Sequence, residues 1–217
     1  MENAVLMPLR EPAIEAAVRR ALGAALRVAV ARQPLAPADL SSGERSTLHG
    51  FTSTARRREW LTGRAALKRL LARLGADGDT SRIVFPHAQL ALTHSRGVAI
   101  AVAAPDPRGV GVDLELRRGI EPQAARFFLA GGESALAARA DGASRILLRL
   151  WTAKEALFKA DGDNAHRTLR DYRFDDPAGS GGGARRAGRR EARFRYSSFR
   201  VAGGYLSVAV RADEAQP

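Results

Sequence analysis

Apolar and polar residues alternate over residues 26–32 (Leu-Arg-Val-Ala-Val-Ala-Arg), which predicts a first strand ended by Pro34 and Pro37. Asp39, Ser41 and Ser42 offer N-caps for a helical region that follows. Residues 55–74 carry Trp60, Ala65, Leu67, Leu70, Leu71 and Leu74 at helical spacing, and the glycines at 75 and 78 close that helix. Residues 81–85 and 90–93 predict short strands, and the apolar run 98–104 predicts a buried one. The Pro-Asp-Pro-Arg-Gly stretch at 105–109 is the strongest break in the chain. It divides an N-terminal lobe, 1–104, from a C-terminal lobe, 105–217. Beyond it the pattern predicts a strand at 110–116, helical turns over 122–140 around Gly131 and Gly132, and a strong helix at 144–160. A Gly/Ala/Arg-rich loop at 178–190 then leads to closing strands near 191–201 and 204–211.

The two halves share an order of features. Trp60, Ala65 and Lys68 stand at the same offsets as Trp151, Ala156 and Lys159, each set on a predicted helix. Each helix is followed later by a glycine and an apolar strand, from Gly97 and from Gly204. The expectation is an α+β protein built as a pseudo-twofold pair of similar lobes, with a site between them.

Composition narrows the chemistry. At 217 residues with 45% hydrophobic and 27% charged, the chain can bury a core, which excludes wholesale disorder. The absence of cysteine excludes disulfides, zinc–thiolate sites, iron–sulfur clusters and a thiol nucleophile. No apolar stretch approaches the length of a membrane span, and Glu2, Arg10, Glu11 and Glu15 are foreign to a secretory signal. A soluble cytoplasmic protein, with no membrane partner, is expected. The net charge of +12 favours anionic partners, although an arginine-biased composition would produce the same excess. Lysine occurs only at Lys68, Lys154 and Lys159, so two of the three fall within one short helix.

Two segments carry the candidate chemistry. In the strand from Val110, the residues Gly111, Asp113 and Glu115 share one face and Val110, Val112, Leu114 and Leu116 the other. Two carboxylates spaced roughly 6–7 Å apart on a strand either hold a hard cation such as magnesium or form a solvated acidic face. Gly111 would let a ligand or another backbone come close. In the helix 150–159, Trp151, Glu155 and Phe158 fall on one face, and Glu155 and Lys159 form an i,i+4 pair. That pair is either an ordinary surface salt bridge or, with Lys154, a carboxylate between two phosphate-binding ammonium groups. Thr93, His94 and Ser95 end a predicted strand where a phosphate contact is possible, and Arg56, Arg57, Arg58 and Arg64 form a basic helical face.

In order along the chain, these segments resemble the 4′-phosphopantetheinyl transferases, in particular the two-lobed group that activates nonribosomal peptide and polyketide synthases. The resemblance rests on residues 56–64, on Thr93-His94-Ser95, on Gly111-Val-Asp-Leu-Glu115, on Phe127-Phe128 with Glu133, and on Trp151-Thr-Ala-Lys-Glu-Ala-Leu-Phe-Lys159. It implies coenzyme A and Mg²⁺ in a cleft between the lobes, with Asp113, Glu115 and Glu155 on the metal. It implies Glu155 as base for a carrier-protein serine, Lys154 and Lys159 as phosphate contacts, and Lys159 also against leaving-group charge. Arg56, Arg64, Thr93 and His94 would meet the 3′-phosphoadenosine end and the diphosphate. Phosphopantetheine would pass to an acidic acyl or peptidyl carrier protein, making a holo-carrier and releasing adenosine 3′,5′-bisphosphate. One chain would suffice, so a monomer is expected. The pattern departs from relatives at 84–87 (Val-Phe-Pro-His), where many carry a Gly-Lys-Pro loop. It departs also around 44–47, where some carry lysines, and at 161–165 (Asp-Gly-Asp-Asn-Ala), where glycines are usual. The competing class is a nucleic-acid-binding module, suggested only by the arginines and aromatics interleaved over 185–200; with no nucleic-acid motif elsewhere, no nucleic-acid partner is expected.

Overall fold

A computed structural model describes residues 6–117, 119–139, 143–188 and 191–212. Among the described residues, five α-helices and eight strands follow one another as α1 (Glu11–Leu22), β1 (Arg27–Ala31), α2 (Ser42–His49), α3 (Thr54–Arg73), β2 (Leu90–Ser95), β3 (Val98–Ala103), β4 (Val110–Glu115), α4 (Gly132–Arg139), α5 (Ala143–Ala160), β5 (Tyr172–Phe174), β6 (Gly181–Arg186), β7 (Ala192–Val201) and β8 (Gly204–Arg211). The fold is of the α+β class. One antiparallel sheet has three strands in the order β1-β3-β2, and the other has five in the order β4-β8-β7-β6-β5.

The sheets meet along β2 and β4. Thr93 and Ser95 on β2 accept the Leu114 and Leu116 amides through their hydroxyl oxygens at 3.0 Å each, so side chains join the two edges where backbone ladders stop. The apolar face expected for β4 points into a core shared by both halves. There Val110, Val112 and Leu114 pack with Ile14 and Val18 of α1, Val28 of β1, Ile100 of β3 and Val208 of β8. The outer edge of β1 is capped from two helices. Glu15 and Glu11 of α1 accept the Val28 and Val30 amides, while Arg73 and Arg69 of α3 donate to the carbonyls of the same two residues.

Local chemistry explains where sequence and structure differ. Helix α1, absent from the pattern reading, has Glu11 and Pro12 in its first turn, and its apolar stripe is Ile14, Val18 and Leu22. Residues 81–85 do not form a strand, because the chain turns at Thr80, whose carbonyl accepts the Ile83 amide. The expected loop at 178–190 contains β6, paired residue for residue with β7 from Gly181↔Ser197 to Arg186↔Ala192. Its three consecutive glycines have little strand preference of their own, and the neighbouring strand supplies the order. Over 122–140 the chain makes a 3-10 turn, Pro122–Phe127, then α4 from Gly132; Ala140 lies outside the described residues.

Gly111 is the close-approach point the sequence suggested, and the approaching group is a backbone. A β-carbon there would overlap the Ala156 carbonyl and crowd the Ala160 amide of α5. Helix α5 therefore lies flat on β4. Gly111→Ala should destabilise the protein by about 3 kcal/mol, the upper range for overpacking, because the obstruction is main chain and cannot rotate away. Urea unfolding measures this; an unchanged midpoint would disprove the packing.

Candidate active site

A cavity of about 540 Å³ opens between β2, β4 and the end of α5, lined by Phe85, Pro86, Ala91, Leu92, Thr93, His94, Asp113, Leu114, Glu115, Phe158, Lys159 and Asn164. A second cavity, about 380 Å³, is lined by Phe51, Arg56, Glu59, Trp60, Gly63, Arg64, Leu92 and His94. Leu92 and His94 belong to both, so the two form one groove with an acidic end and an arginine-bearing end. Seven of the expected site residues line it: Arg56, Arg64, Thr93, His94, Asp113, Glu115 and Lys159.

At the acidic end, Lys159 donates to Asp113 Oδ1 at 2.6 Å and to the Val112 carbonyl at 3.4 Å. Thr93 donates to the same Oδ1 at 3.3 Å, so its buried hydroxyl serves as a latch between β2 and β4. Asp113 Oδ2 is buried with no hydrogen-bond partner. Glu115 is pushed above the ordinary glutamate range chiefly by burial and also by Asp113. The Arg117 charge, the Trp151 indole N–H and Lys159 work in the opposite direction. Glu155 lies half-buried and does not line the cavity, yet Lys159, Asp113 and Glu115 all act on it. Burial raises its carboxyl most, the two acids raise it further, and Lys159 opposes them.

Lys154 corrects the sequence reading. Its ammonium is fully buried on the opposite side of α5, 2.6 Å from Glu133 Oε2 and donating to the Tyr172 carbonyl at 2.6 Å. Burial pulls its pKa down and the Glu133 carboxylate opposes this. It braces α5 against α4 and the start of β5 and lines neither cavity. Glu133 also accepts the Ala130 and Phe174 amides. Of the Phe127-Phe128 pair, Phe128 is buried edge-on to Trp151 at 5.2 Å, while Phe127 is exposed. The third lysine, Lys68, pairs with buried Glu44 at 2.9 Å. Burial disfavours the Glu44 charge, but hydrogen bonds from Thr80, Ser41 and Lys68 prevail and hold its pKa at about 2.

At the other end, Arg64 is fixed over the Trp60 ring at 4.9 Å and donates to the Thr80 hydroxyl and carbonyl at 3.1 and 3.3 Å. Arg56 is exposed at the first turn of α3, and His94 is exposed where the cavities join. Burial is the main influence on the Arg64 guanidinium and lowers its pKa.

The acidic end can also be tested against a metal. Among the described residues, no group of three or more acids or histidines is assembled that could hold an ion. The expected set of Asp113, Glu115 and Glu155 is therefore not a three-carboxylate cage. Two carboxylates do suit magnesium, which keeps several waters and takes its other ligands from substrate phosphates. Asp113 Oδ2, which has no partner among the described residues, fits such an ion, and Glu115 would join it by leaving its ion pair with Arg117 at 3.4 Å.

The 4′-phosphopantetheinyl transferase superfamily model matches residues 109–209. No curated protein sequence matches the chain. The superfamily match runs from the turn before β4 nearly to the end of β8, so it includes Asp113, Glu115, Glu155 and Lys159. Arg56, Arg64, Thr93 and His94 lie outside it. It supports a transferase of the phosphopantetheinyl type. Among the described residues, no helix is long and apolar enough to cross a membrane.

Proposed function

We propose that this chain transfers 4′-phosphopantetheine from coenzyme A to a serine of an acidic acyl or peptidyl carrier protein. The observation that carries this reading is the groove itself. It joins Asp113, Glu115 and Lys159 to His94, Arg56 and Arg64, as a ligand with a central diphosphate and a phosphorylated nucleoside end requires. Asp113 and Glu115 would hold Mg²⁺, which when bound supplies positive charge to the diphosphate. Lys159 meets a phosphate oxygen as a compact cation and turns to it from Asp113. Glu155, half-buried behind the cavity lining with its carboxyl raised by burial, would take the serine proton through an intervening water. The serine oxygen bonds to the β-phosphorus as the bond to the bridging oxygen breaks. Adenosine 3′,5′-bisphosphate leaves, its new charge met by Lys159 and the arginine end of the groove.

The two-lobed group, with Mg²⁺ dependence and service to polyketide or nonribosomal peptide carriers, is the finer reading. Its support is the strand order. Each sheet sets its last strand between its first strand, which precedes the long helix, and the strand immediately before the last, β1-β3-β2 and β4-β8-β7. That repetition favours a pseudo-twofold pair divided at 104/105; a cytoplasmic monomer completes the proposal. The net charge of +12 suits an acidic carrier. A test is the intact mass of several apo-carrier proteins incubated with the protein, coenzyme A and Mg²⁺. A gain of one phosphopantetheine unit is expected on at least one carrier and none without coenzyme A; no gain on any carrier would refute the reading.

A further inference from the structure

A buried hydrogen-bond network holds the loop after α5. Asp161, fully buried, accepts the Tyr172 hydroxyl at 2.8 Å and Arg186 at 2.7 Å through one carboxylate oxygen. Arg186, itself almost wholly buried, also donates to the Asp163 carbonyl at 3.0 Å. The other Asp161 oxygen accepts the Asp163 amide at 3.1 Å. This network takes no part in the chemistry above. It presents the next residue, Asn164, to the wall of the larger cavity beside Phe158 and Lys159.

Asn164 is only 9% exposed. Its Nδ2 donates to the Phe158 carbonyl at 2.8 Å, and its Oδ1 takes no hydrogen bond from the described residues. The remaining polar groups of that wall are otherwise engaged or charged. Thr93's hydroxyl is used within the protein, and Asp113, Glu115 and Lys159 form the ionic centre. The rest of the lining is the exposed His94, at the junction with the second cavity, and the apolar Phe85, Pro86, Ala91, Leu92, Leu114 and Phe158. Away from that junction, an apolar wall with one nearly buried uncharged acceptor suits an uncharged chain bearing amide N–H groups, and an unmet acceptor at such a site gives orientation.

We infer that Asn164 is a substrate-contact residue whose Oδ1 accepts an amide N–H of the pantetheine arm, fixing that arm against the Phe85–Phe158 side of the cavity. The inference rests on the coenzyme A reading above and adds the contact for the portion that is transferred. The arm is a diamide with a branched apolar centre, and both features match the wall. The buried Asp161–Arg186–Tyr172 network keeps the loop in place, so little order is lost when the arm arrives.

Calorimetric titration of the folded full chain with two probes tests this. Coenzyme A carries the arm, and adenosine 3′,5′-bisphosphate lacks it. Asn164→Ala should weaken coenzyme A binding about fivefold, the loss of one neutral hydrogen bond, and leave the bisphosphate affinity unchanged. Unchanged coenzyme A affinity overturns the inference. So does an equal loss for both probes, which would place Asn164 at the nucleotide end or in the general stability of the site. If Asn164→Ala does not fold, Asn164→Ser, too short to span the gap, is read by the same pair of affinities. Failure of the unaltered protein to bind coenzyme A would instead sink the functional reading.

Discussion

Replacing Glu155 with glutamine lowers the transfer rate by at least about 10²-fold, the lower end for losing a general base, and raises the melting temperature at neutral pH. The two effects share one cause. Burial, with Asp113 and Glu115 nearby, raises the Glu155 carboxyl above the ordinary value of 4.5. A carboxyl raised in the folded state favours folding below its unfolded pKa, and that contribution is lost as pH rises through the folded pKa. At neutral pH the charge is thus a burden on the fold, and glutamine removes it while keeping the shape. For the same reason the acid limb of the pH–rate profile should lie above the usual glutamate range, since the ionised form does the work. Coenzyme A affinity should change little, because Lys159, His94 and the arginines remain. A variant that is slower and also less stable would point to a structural role; one with full activity would leave Glu155 as half of a surface salt pair.

Asp113→Ala should abolish Mg²⁺-dependent transfer, a loss of more than about 10²-fold or about 3 kcal/mol of transition-state stabilisation, while the protein stays folded. The expectation of an intact fold comes from the partners left behind. Thr93 still accepts the Leu114 amide, and Lys159, about a third exposed, can turn to water. The apolar face of β4 is untouched. Rate against magnesium concentration, beside circular dichroism, checks both halves. Wild-type turnover would remove Asp113 from the metal, and unfolding would make its carboxylate a structural anchor.

The acidic half of the site was legible because a strand's period of two is strict. Asp113 and Glu115 had to share a face once Val110, Val112 and Leu114 were core. Lys154 was misread by counting lysines where helical angle should have decided. Lys154 and Lys159 stand about 140° apart around a helix, whereas Glu155 and Lys159 stand about 40° apart, so only Glu155 lies on the Lys159 side of α5. The glycine strand β6 was hidden for a different reason: its order comes from β7, over a register no local pattern encodes. Helix α1 did leave a signal, a proline at its first turn and apolar residues at 14, 18 and 22. Asn164 had none; its importance comes from Arg186 and Tyr172, which lie far along the chain and reach Asp161 only in the fold.

The capped margin of β1 bears on how this protein behaves in a crowded solution. An open strand margin is a template on which another copy can polymerise, hydrogen bond by hydrogen bond. Here Val28 and Val30 offer a newcomer neither a vacant amide nor a vacant carbonyl, since two glutamates and two arginines from separate helices already occupy them. The opposite margin of the small sheet abuts β4 through Thr93 and Ser95. A three-stranded sheet would otherwise be an obvious nucleus for fibrils. With side chains standing in for a fourth strand, it remains a bounded scaffold, and its rim is as sticky as a helix surface, no more.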